Sequence, residues 1–350
     1  MQISVVILNF NGSTETLNLL NSLNEQTNKD FEIIVVDNAS EEDDFTNLQK
    51  SIHNPDITML NIVNPQVKIM RNSENLGFSG GNNTGIRQAL NPSTLSGQEM
   101  GSDWVVLLNN DTWVERDFAE RLKAVLGAKT RSTGSGQAGV VGIPLVEGDR
   151  VAYCGKIRWL KPTLSHINDA KAISNFQPVR MDIRPGGFPI SNEFSNPNSP
   201  NGKRKMISDK CFYAIGGAMA IHKDVFEKIG LLDEKYFLYF EDADFSVRAR
   251  KAGFDISIAD NLSAHHHISS SAKKLGSPLL MRYHYRNALY FNFKNGPWYV
   301  KLAVWPWSWI IIIKQLSKIA VKHNTKESKA ILAGVIDFYK KRYGKIKNRN

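Results

Sequence analysis

Over its first 145 residues the chain alternates short apolar runs with amphipathic stretches. Ile3–Leu8, Phe31–Val36, Trp104–Leu108 and Gly139–Ile143 are largely continuous apolar segments. Such runs suit strands covered on both faces, because a strand with one wet face alternates polar and apolar positions. Thr16–Leu23 and Phe118–Leu126 carry helical spacing, and Gly85–Leu90 reads as part of another helix. Strand and helix in turn predict an α/β fold with parallel strands joined by crossover helices. Ile256–Ala259 adds a later strand. Asn91–Ser102 and Ser191–Lys205, rich in Asn, Pro, Ser and Gly, predict an insertion and an exposed loop.

The pattern changes near Gly276. From there the chain is aromatic, basic and helical, which divides it into a domain over residues 1–275 and a C-terminal appendage over 276–350. The stretch from Trp298 to Ile313 holds four tryptophans and an isoleucine run, and lysines follow. That composition suits a membrane interface, where aromatic rings sit at headgroup level and long cationic side chains reach the phosphates. Its apolar part, Leu302–Ile313, is twelve residues long and contains Pro306, too short to span a bilayer. An in-plane anchor is the expectation. The competing reading is a helix packed on the domain, with a solvated charged face.

Charge sharpens the picture. Of the net charge of +10, the tail from Lys314 to Asn350 carries +9, with eleven Lys and Arg against Glu327 and Asp337. A basic tail suits an anionic surface. Basic residues confined to one end argue against nucleic acid as a partner. Two cysteines, Cys154 and Cys211, without metal-type spacing, point to a reducing compartment. The N-terminus enters an apolar strand without a basic leader, so no secretory signal is expected. The expected location is cytoplasmic, peripheral on the inner face of the cell membrane.

Polar clusters follow the apolar runs: Asn9-Phe-Asn11, Asp37-Asn-Ala-Ser40, Asn75 to Gly85, and Asn109-Asn-Asp111. Open parallel sheets bind ligands at the carboxyl ends of their strands, so four such clusters predict one lined cleft. Asp37 suits a nucleobase imide, a ribose hydroxyl or a helix N-cap. Asp111 suits a single ligand to a hard divalent ion on a diphosphate. Gly77–Gly85 is not a G-x-G-x-x-G stretch, which argues against an ordinary dinucleotide site. Its glycines would let a ligand approach the backbone near Asn75, Gly80 and Asn82. Phe237–Arg248 sets Glu241, Asp242, Asp244 and Arg248 among aromatics. In a helix Glu241, Asp244 and Arg248 share a face, and Asp242 points elsewhere, free to act as a base. Buried carboxylates are costly unless paired or used, so this segment is either catalytic or an ion-pair network.

In this order the segments resemble a family-2 glycosyltransferase with the GT-A fold, and within it the rhamnosyltransferase-like branch. The residues that carry the resemblance are Ser4–Asn11, Ile34–Ser40, Asn75–Asn82, Leu107–Thr112, Ile215–Ala218, Gly230–Glu234, Tyr239–Phe245, the histidines at 265–267 and Tyr283-His-Tyr-Arg-Asn287. The resemblance implies a Rossmann-like nucleotide-binding half with a mixed sheet. It implies that Asp37 contacts the nucleoside of a nucleotide-sugar, with Asn9, Asn11, Asn75, Gly80, Asn82, Asn109 and Asn110 lining the donor site. Asn109-Asn110-Asp111 takes the D-x-D position, with Asp111 a ligand to Mg or Mn. One histidine after the Ile256–Ala259 strand completes the metal site. His266 is favoured by its spacing to Ser269 and Ser271, with His265 and His267 as alternatives. Asp242 is the general base, Glu241 binds the acceptor, and Gly217, Asp244 and Arg248 belong to the acceptor side or its support.

The implied reaction is inverting sugar transfer, foremost rhamnose from dTDP-rhamnose, to a glycan or a polyprenyl-diphosphate-linked glycan of the cell envelope. UDP-hexoses and UDP-galactofuranose are alternative donors. Two features depart from the pattern. Asn109 and Asn110 replace carboxylates, which lowers the attraction for a divalent ion. The processive signature Q-x-x-R-W is absent, and the nearest string, Gln177-Pro-Val-Arg-Met181, lacks the tryptophan. That argues against a polysaccharide synthase channel. A non-catalytic binding protein would not need Asp111, Asp242 and a histidine together. A nucleotidyltransferase would open with a glycine-rich loop where Asn9-Phe-Asn-Gly12 stands.

Overall fold

A computed structural model describes residues 1–53, 67–91, 101–131, 137–168, 212–266 and 277–346. The first part winds β1 (Ile3–Asn9), α1 (Ser13–Asn24), β2 (Glu32–Asp37), α2 (Glu42–His53), β3 (Val67–Arg71), α3 (Gly77–Leu90) and β4 (Trp104–Asn109). These four strands are parallel, in the order β4-β1-β2-β3. The winding reverses at β1, with β2 on one side and β4 on the other. Such a switch point leaves a crevice outside the carboxyl ends of the strands.

Both faces of the sheet are covered, which explains the continuous apolar runs. Val5, Ile7, Ile33, Val35 and Val106 pack under Leu19, Leu20 and Leu23 of α1. Val6, Ile34, Val36, Val105 and Leu107 pack under Ile86 and Ala89 of α3. Gly81 and Gly85 seat α3 close to β1, since a Cβ on either would overlap the side chains of Leu8 and Val6.

The chain continues through β5 (Thr112–Val114), α4 (Phe118–Arg131), β6 (Gln137–Gly142), β7 (Leu145–Glu147), β8 (Arg150–Ala152), β9 (Cys154–Lys156) and β10 (Ser165–Ile167). Then follow β11 (Phe212–Tyr213), β12 (Ala218–His222), α5 (Lys223–Ile229), α6 (Glu241–Lys251), β13 (Phe254–Ile258) and β14 (Ala264–His266). β12 lies antiparallel between β4 and β6, so the seven-stranded sheet is mixed. The remaining described strands form a four-stranded sheet, β5-β14-β7-β8, and a three-stranded one, β10-β9-β11.

Three helices close the described chain: α7 (Ser277–Asn295), α8 (Trp298–Ala320) and α9 (Thr325–Tyr339). The boundary expected near residue 276 falls outside the described residues, but the helices beyond it share a core with residues before it. Tyr236, Phe240, Ala243 and Val247 pack with residues of all three, among them Leu289, Val304 and Val335. Arg282 Nε pairs with Asp337 Oδ2 at 2.7 Å, tying α7 to α9. α8 continues for 23 residues with Pro306 inside it. No described helix is long and apolar enough to cross a membrane. Val300, Val304, Ser308 and Ile311 face inward along α8, while Trp298, Leu302, Trp305, Trp309, Ile313 and Leu316 are exposed. The packed and the exposed readings thus apply to opposite faces of one helix.

Candidate active site

Side chains stitch the carboxyl ends of β1, β2 and β3 together. Asn9 stands opposite Asp37 in register, and Asp37 opposite Arg71. Asn9 Nδ2 donates to Asp37 Oδ1 at 3.0 Å and to Ser40 Oγ at 3.1 Å, while Asn9 Oδ1 accepts from Thr16 Oγ1 at 2.8 Å. The N–H of Ser40 donates to Asp37 Oδ2, and Arg71 Nε lies 3.3 Å from that oxygen. Asn11, left-handed at φ 50°, donates its N–H to Ser40 Oγ and accepts from the N–H of Glu41. Asn9 and Asp37 have no exposed surface. Asp37 is the residue expected to meet a nucleoside. Here both of its oxygens are engaged within the protein, and it shapes the cleft through Arg71 and Ser40.

Asn75 and Asn82 also turn inward. Asn75 Oδ1 accepts from Asn38 Nδ2 at 3.1 Å and from the N–H of Gly77 at 2.8 Å, and Asn82 Nδ2 donates to the Phe78 carbonyl at 2.9 Å. Gly80 faces Leu76 and Glu234. Gly81 and Gly85 of the same segment bring α3 against β1.

β4 ends in Asn109, Asn110 and Asp111. The N–H of Asn109 donates to the Gly217 carbonyl at 2.9 Å. Asn110 turns back, its Nδ2 donating to the Gly12 carbonyl and to Thr16 Oγ1, both at 3.2 Å. Asp111 Oδ1 lies 3.2 Å from His266 Nε2. The pairing of β14 with β5 sets His266 opposite Thr112, and Glu147 Oε1 of β7 holds His266 Nδ1 at 2.7 Å. His265 stacks on Trp113 at 3.9 Å, and His267 lies outside the described residues. Burial pulls the His266 pKa down, but the Asp111 and Glu147 carboxylates outweigh it, and the pKa stands above the ordinary imidazole value.

Asp111 Oδ1 is buried, and apart from its ion pair with His266 it has no hydrogen-bond partner. Such a carboxylate oxygen, beside an imidazole fixed from behind by a second carboxylate, suits a divalent ion. The described residues hold no group of three or more such ligands. Two protein donors fit an ion that also keeps waters and phosphate oxygens.

The Glu241-Asp242 pair enters through a strained loop. Phe237, Tyr239 and Phe240 have φ of 64°, 70° and 76°. Such backbone costs a non-glycine residue roughly 1–3 kcal/mol and persists only where its surroundings impose it. The clamp comes from α7. Asn287 Nδ2 is shared among the carbonyls of Tyr236, Leu238 and Tyr239 at 3.0, 2.7 and 3.1 Å. Arg286 Nη2 donates to the Tyr236 carbonyl at 3.0 Å, and Arg286 Nε to Asn287 Oδ1 at 2.9 Å. Both side chains are buried.

Asp242 Oδ2 accepts the N–H of Gly216 at 3.0 Å, and its Oδ1 accepts the N–H of Ala243 at 2.7 Å. Burial raises its pKa above the ordinary aspartate value, against the pull of those two donors. Glu241 is buried, and burial with the neighbouring Asp242 charge pushes its pKa well up. The trio expected on one face divides. Asp244, wholly buried, takes Arg248 Nε at 2.7 Å on one oxygen and Lys294 Nζ and Asn295 Nδ2, each at 2.7 Å, on the other. Arg248 also donates to the carbonyls of Ile229 and Leu231. These two form a structural network, and Glu241 takes no part in it.

Sequence reading gave no role to Glu147, Arg286 or Asn287. For the last two the signal was an arginine and an asparagine side by side, followed by the apolar and aromatic run Ala288–Phe291. Glu147 carried none, because its place depends on how β7 pairs.

Residues 4–138 match the model described as glycosyl transferase family 2. The chain is 23% identical over 264 residues to the low-salt glycan biosynthesis hexosyltransferase Agl10 of Haloferax volcanii, covering 75% of this chain and 66% of that one. It is 22% identical over 236 residues to an N-acetylglucosaminyl-diphospho-decaprenol L-rhamnosyltransferase of Mycobacterium tuberculosis, covering 67% of this chain and 70% of that one. It thus spans just under two thirds of the length of the first of these relatives. Two solved structures superpose with a TM-score of 0.50. One is S. aureus TarS 1–349 in complex with UDP-GlcNAc, at 13% identity over 97% of this chain and 80% of that one. The other is GalNAc-T7 with UDP, GalNAc and Mn2+, at 14% identity over 76% of this chain and 43% of that one. At these identities the likeness is one of fold. The switch at β1 and the mixed sheet are those of the GT-A fold, and residues 4–138 are similar to glycosyl transferase family 2.

Proposed function

We propose that the protein is an inverting glycosyltransferase. It takes a sugar from a nucleotide-sugar, foremost rhamnose from dTDP-rhamnose, to a hydroxyl of a glycan or polyprenyl-diphosphate-linked glycan of the cell envelope. One observation supports this most. Asp111 with His266, and Asp242 at the head of α6, flank the same backbone joint: Asn109 bonds Gly217, and Asp242 bonds Gly216. The rhamnosyl donor and lipid-linked acceptor are suggested by the Mycobacterium tuberculosis relative. A UDP-hexose donor is the second reading, and the Haloferax volcanii hexosyltransferase supports its hexose part.

In this reading the donor lies across the ends of β1, β2 and β4. Asp111 and His266 would hold Mg or Mn, which when bound would offset charge building on the departing diphosphate. Asp242 takes the proton of the acceptor hydroxyl. The acceptor oxygen bonds the anomeric carbon from the face opposite the nucleotide. The bond from that carbon to the diphosphate oxygen breaks, and its electron pair leaves with the nucleotide. The N–H groups of Gly216 and Ala243 aim the carboxylate, and burial makes it a stronger base. General-base help is worth roughly 100- to 10,000-fold.

The exposed face of α8 is the expected contact with an anionic membrane, on its cytoplasmic side. The helix carries no acidic residue, and Lys301, Lys314 and Lys318 accompany its tryptophans. An aromatic and aliphatic face beside lysines is the composition of an in-plane anchor.

The test is release of dTDP or UDP from a panel of nucleotide-sugars with Mn present. Wild type releases nucleotide from one donor. Asp242→Asn loses at least 100-fold while still binding that donor. Release within a few-fold of wild type would overturn the base assignment.

A further inference from the structure

Beyond α9 the chain turns back toward the loop that delivers Asp242. Lys341 and Gly344, with left-handed φ of 52° and 74°, shape the turn. The N–H of Gly344 donates to the Lys235 carbonyl at 2.8 Å, and the N–H of Ile346 to the Tyr283 hydroxyl at 2.9 Å. Tyr343 lies against Tyr290 with ring centroids 4.4 Å apart, and Tyr290 against Tyr236 at 5.0 Å. A row of aromatic rings thus runs from the end of the described chain to the start of the loop. The side chains of Lys340, Lys341, Arg342 and Lys345 are exposed, so backbone bonds and the Tyr343 ring seat this segment.

Arg286 joins the segment to the loop. It exposes 1% of its surface. Its Nη2 donates to the carbonyls of Lys235 and Tyr236 at 3.4 and 3.0 Å. Its Nη1 donates to those of Arg342 and Gly344 at 3.4 and 2.7 Å. With Nε on Asn287 Oδ1, the whole planar fork is engaged by neutral oxygens. Burial pulls its pKa down to about 10, so it is charged at neutral pH. A buried cation bonded to dipoles is stable only while those dipoles stay in place. One guanidinium therefore couples residues 342–344 to residues 235–236. Phe237, Tyr239 and Phe240 follow directly, in a left-handed backbone that relaxes unless its surroundings impose it. The N–H of Asp244 bonds the Phe240 carbonyl at 2.9 Å, so the first turn of α6, with Asp242 in it, starts from that loop.

We propose that residues 341–346 are a strap that sets the position of Asp242. Seated, the strap fixes Arg286 and the Lys235 carbonyl, and through them the left-handed loop. Unseated, it lets the loop relax and moves Asp242 away from the acceptor hydroxyl. Asp111 and His266 lie on other elements, so donor binding is spared. Tyr343 and Gly344 are positioning residues. The consequence for transfer rests on the proposed role of Asp242, but the hold on the loop does not.

Amide hydrogen exchange on the full chain, read beside nucleotide release from the donor panel with Mn present, tests this. Gly344→Pro removes the N–H and forbids the left-handed φ. Deletion of residues 341–350 removes the strap. Each should raise exchange at residues 236–244 by about tenfold or more and leave β1 and β4 as in wild type. Each should lower kcat by about tenfold or more with the donor KM within about threefold. Lys340→Ser, Arg342→Ser and Lys345→Ser together should change neither readout. Loop exchange at the wild-type rate in both variants would overturn the proposal. So would exchange raised equally over the whole chain, the mark of a general staple, or a loosened loop with wild-type kcat. Selective loosening in the variants of a chain that releases nucleotide from no donor would support the strap and overturn the transferase reading.

Discussion

Asn287 donates its side-chain amide to the carbonyl oxygen of Leu238 at 2.7 Å, so a helix of the C-terminal region holds the loop that delivers Asp242. The same amide reaches the carbonyls of Tyr236 and Tyr239, across a segment with three left-handed aromatic residues. Asn287→Leu removes the donor and leaves buried carbonyls unpaired, each costing about 1–3 kcal/mol. Thermal melting is expected to fall by several degrees, and nucleotide release to fall further than the loss of folded protein explains. A variant that melts and reacts like wild type would show that the loop holds its shape unaided.

The raised pKa of Asp242 sets a pH dependence. A base acts only when deprotonated, so activity falls as pH drops through that pKa. The acid limb of the rate profile should lie above the ordinary aspartate value of 3.8, because burial is the largest influence on this carboxyl. Burial and the neighbouring Asp242 charge push the Glu241 pKa up as well. Glu241→Gln removes a group that can carry a like charge, so any movement of the limb in that variant is toward lower pH. A wild-type limb at or below 3.8, or one that moves upward in Glu241→Gln, would contradict this assignment of the pair.

Asp233 gives a stability prediction of known sign. Burial pushes its pKa up, but Lys294, the N–H of Lys235 and the hydroxyl of Tyr290 outweigh it, and the pKa is lowered. A depressed carboxyl pKa stabilises the fold fully above the unfolded value and loses that contribution as pH falls through the folded one. Asp233→Asn should cost roughly 1–3 kcal/mol at pH 7, since the lost hydrogen bonds are charge-assisted. The gap between variant and wild type should narrow near pH 3. Urea unfolding at both pH values measures it, and a gap that widens in acid would contradict the sign.

The outer face of α8 can be tested without disturbing the core. Deleting the helix would remove Val304 and Ile311, which share a core with Phe240 and Ala243. Trp305, Trp309 and Ile313 are exposed instead, at 45%, 60% and 61%. Replacing these three with serine should leave melting unchanged and weaken binding to anionic liposomes at least tenfold, with a steep salt dependence from the lysines. Unchanged liposome binding would assign this face to something other than lipid.

Much of the sheet was legible in the sequence because β1, β2 and β4 are covered on both faces and read as unbroken apolar runs. β3 was not, because Val67–Arg71 is a half-buried edge strand with lysine and arginine in it. α2 opens with Glu42, Asp43 and Asp44 and has few apolar residues to mark its period. The three-residue strands β7 and β14 have no local signal, yet their pairing brings Glu147 to His266. The polar clusters marked the carboxyl edge of the sheet but not the work of each side chain. Asn9, Asp37, Asn75 and Asn82 have the residue types of ligand-binding groups, and in the fold they bond one another and nearby backbone. An amide that ties two loops and one that awaits a ligand look alike in a sequence. Only partners brought from distant strands separate them.

The central claim is that the cleft at the switch point binds a nucleotide-sugar with a divalent ion between Asp111 and His266. Calorimetric titration of the full chain with dTDP-rhamnose, UDP-glucose, UDP-galactose and UDP-galactofuranose, each with Mn and with chelator, tests it most directly. The account predicts that one donor binds, that chelator weakens it at least tenfold, and that Asp111→Asn weakens it similarly with Mn present. Absence of binding to the folded protein by all four, or binding equally tight in chelator and in Asp111→Asn, would contradict it.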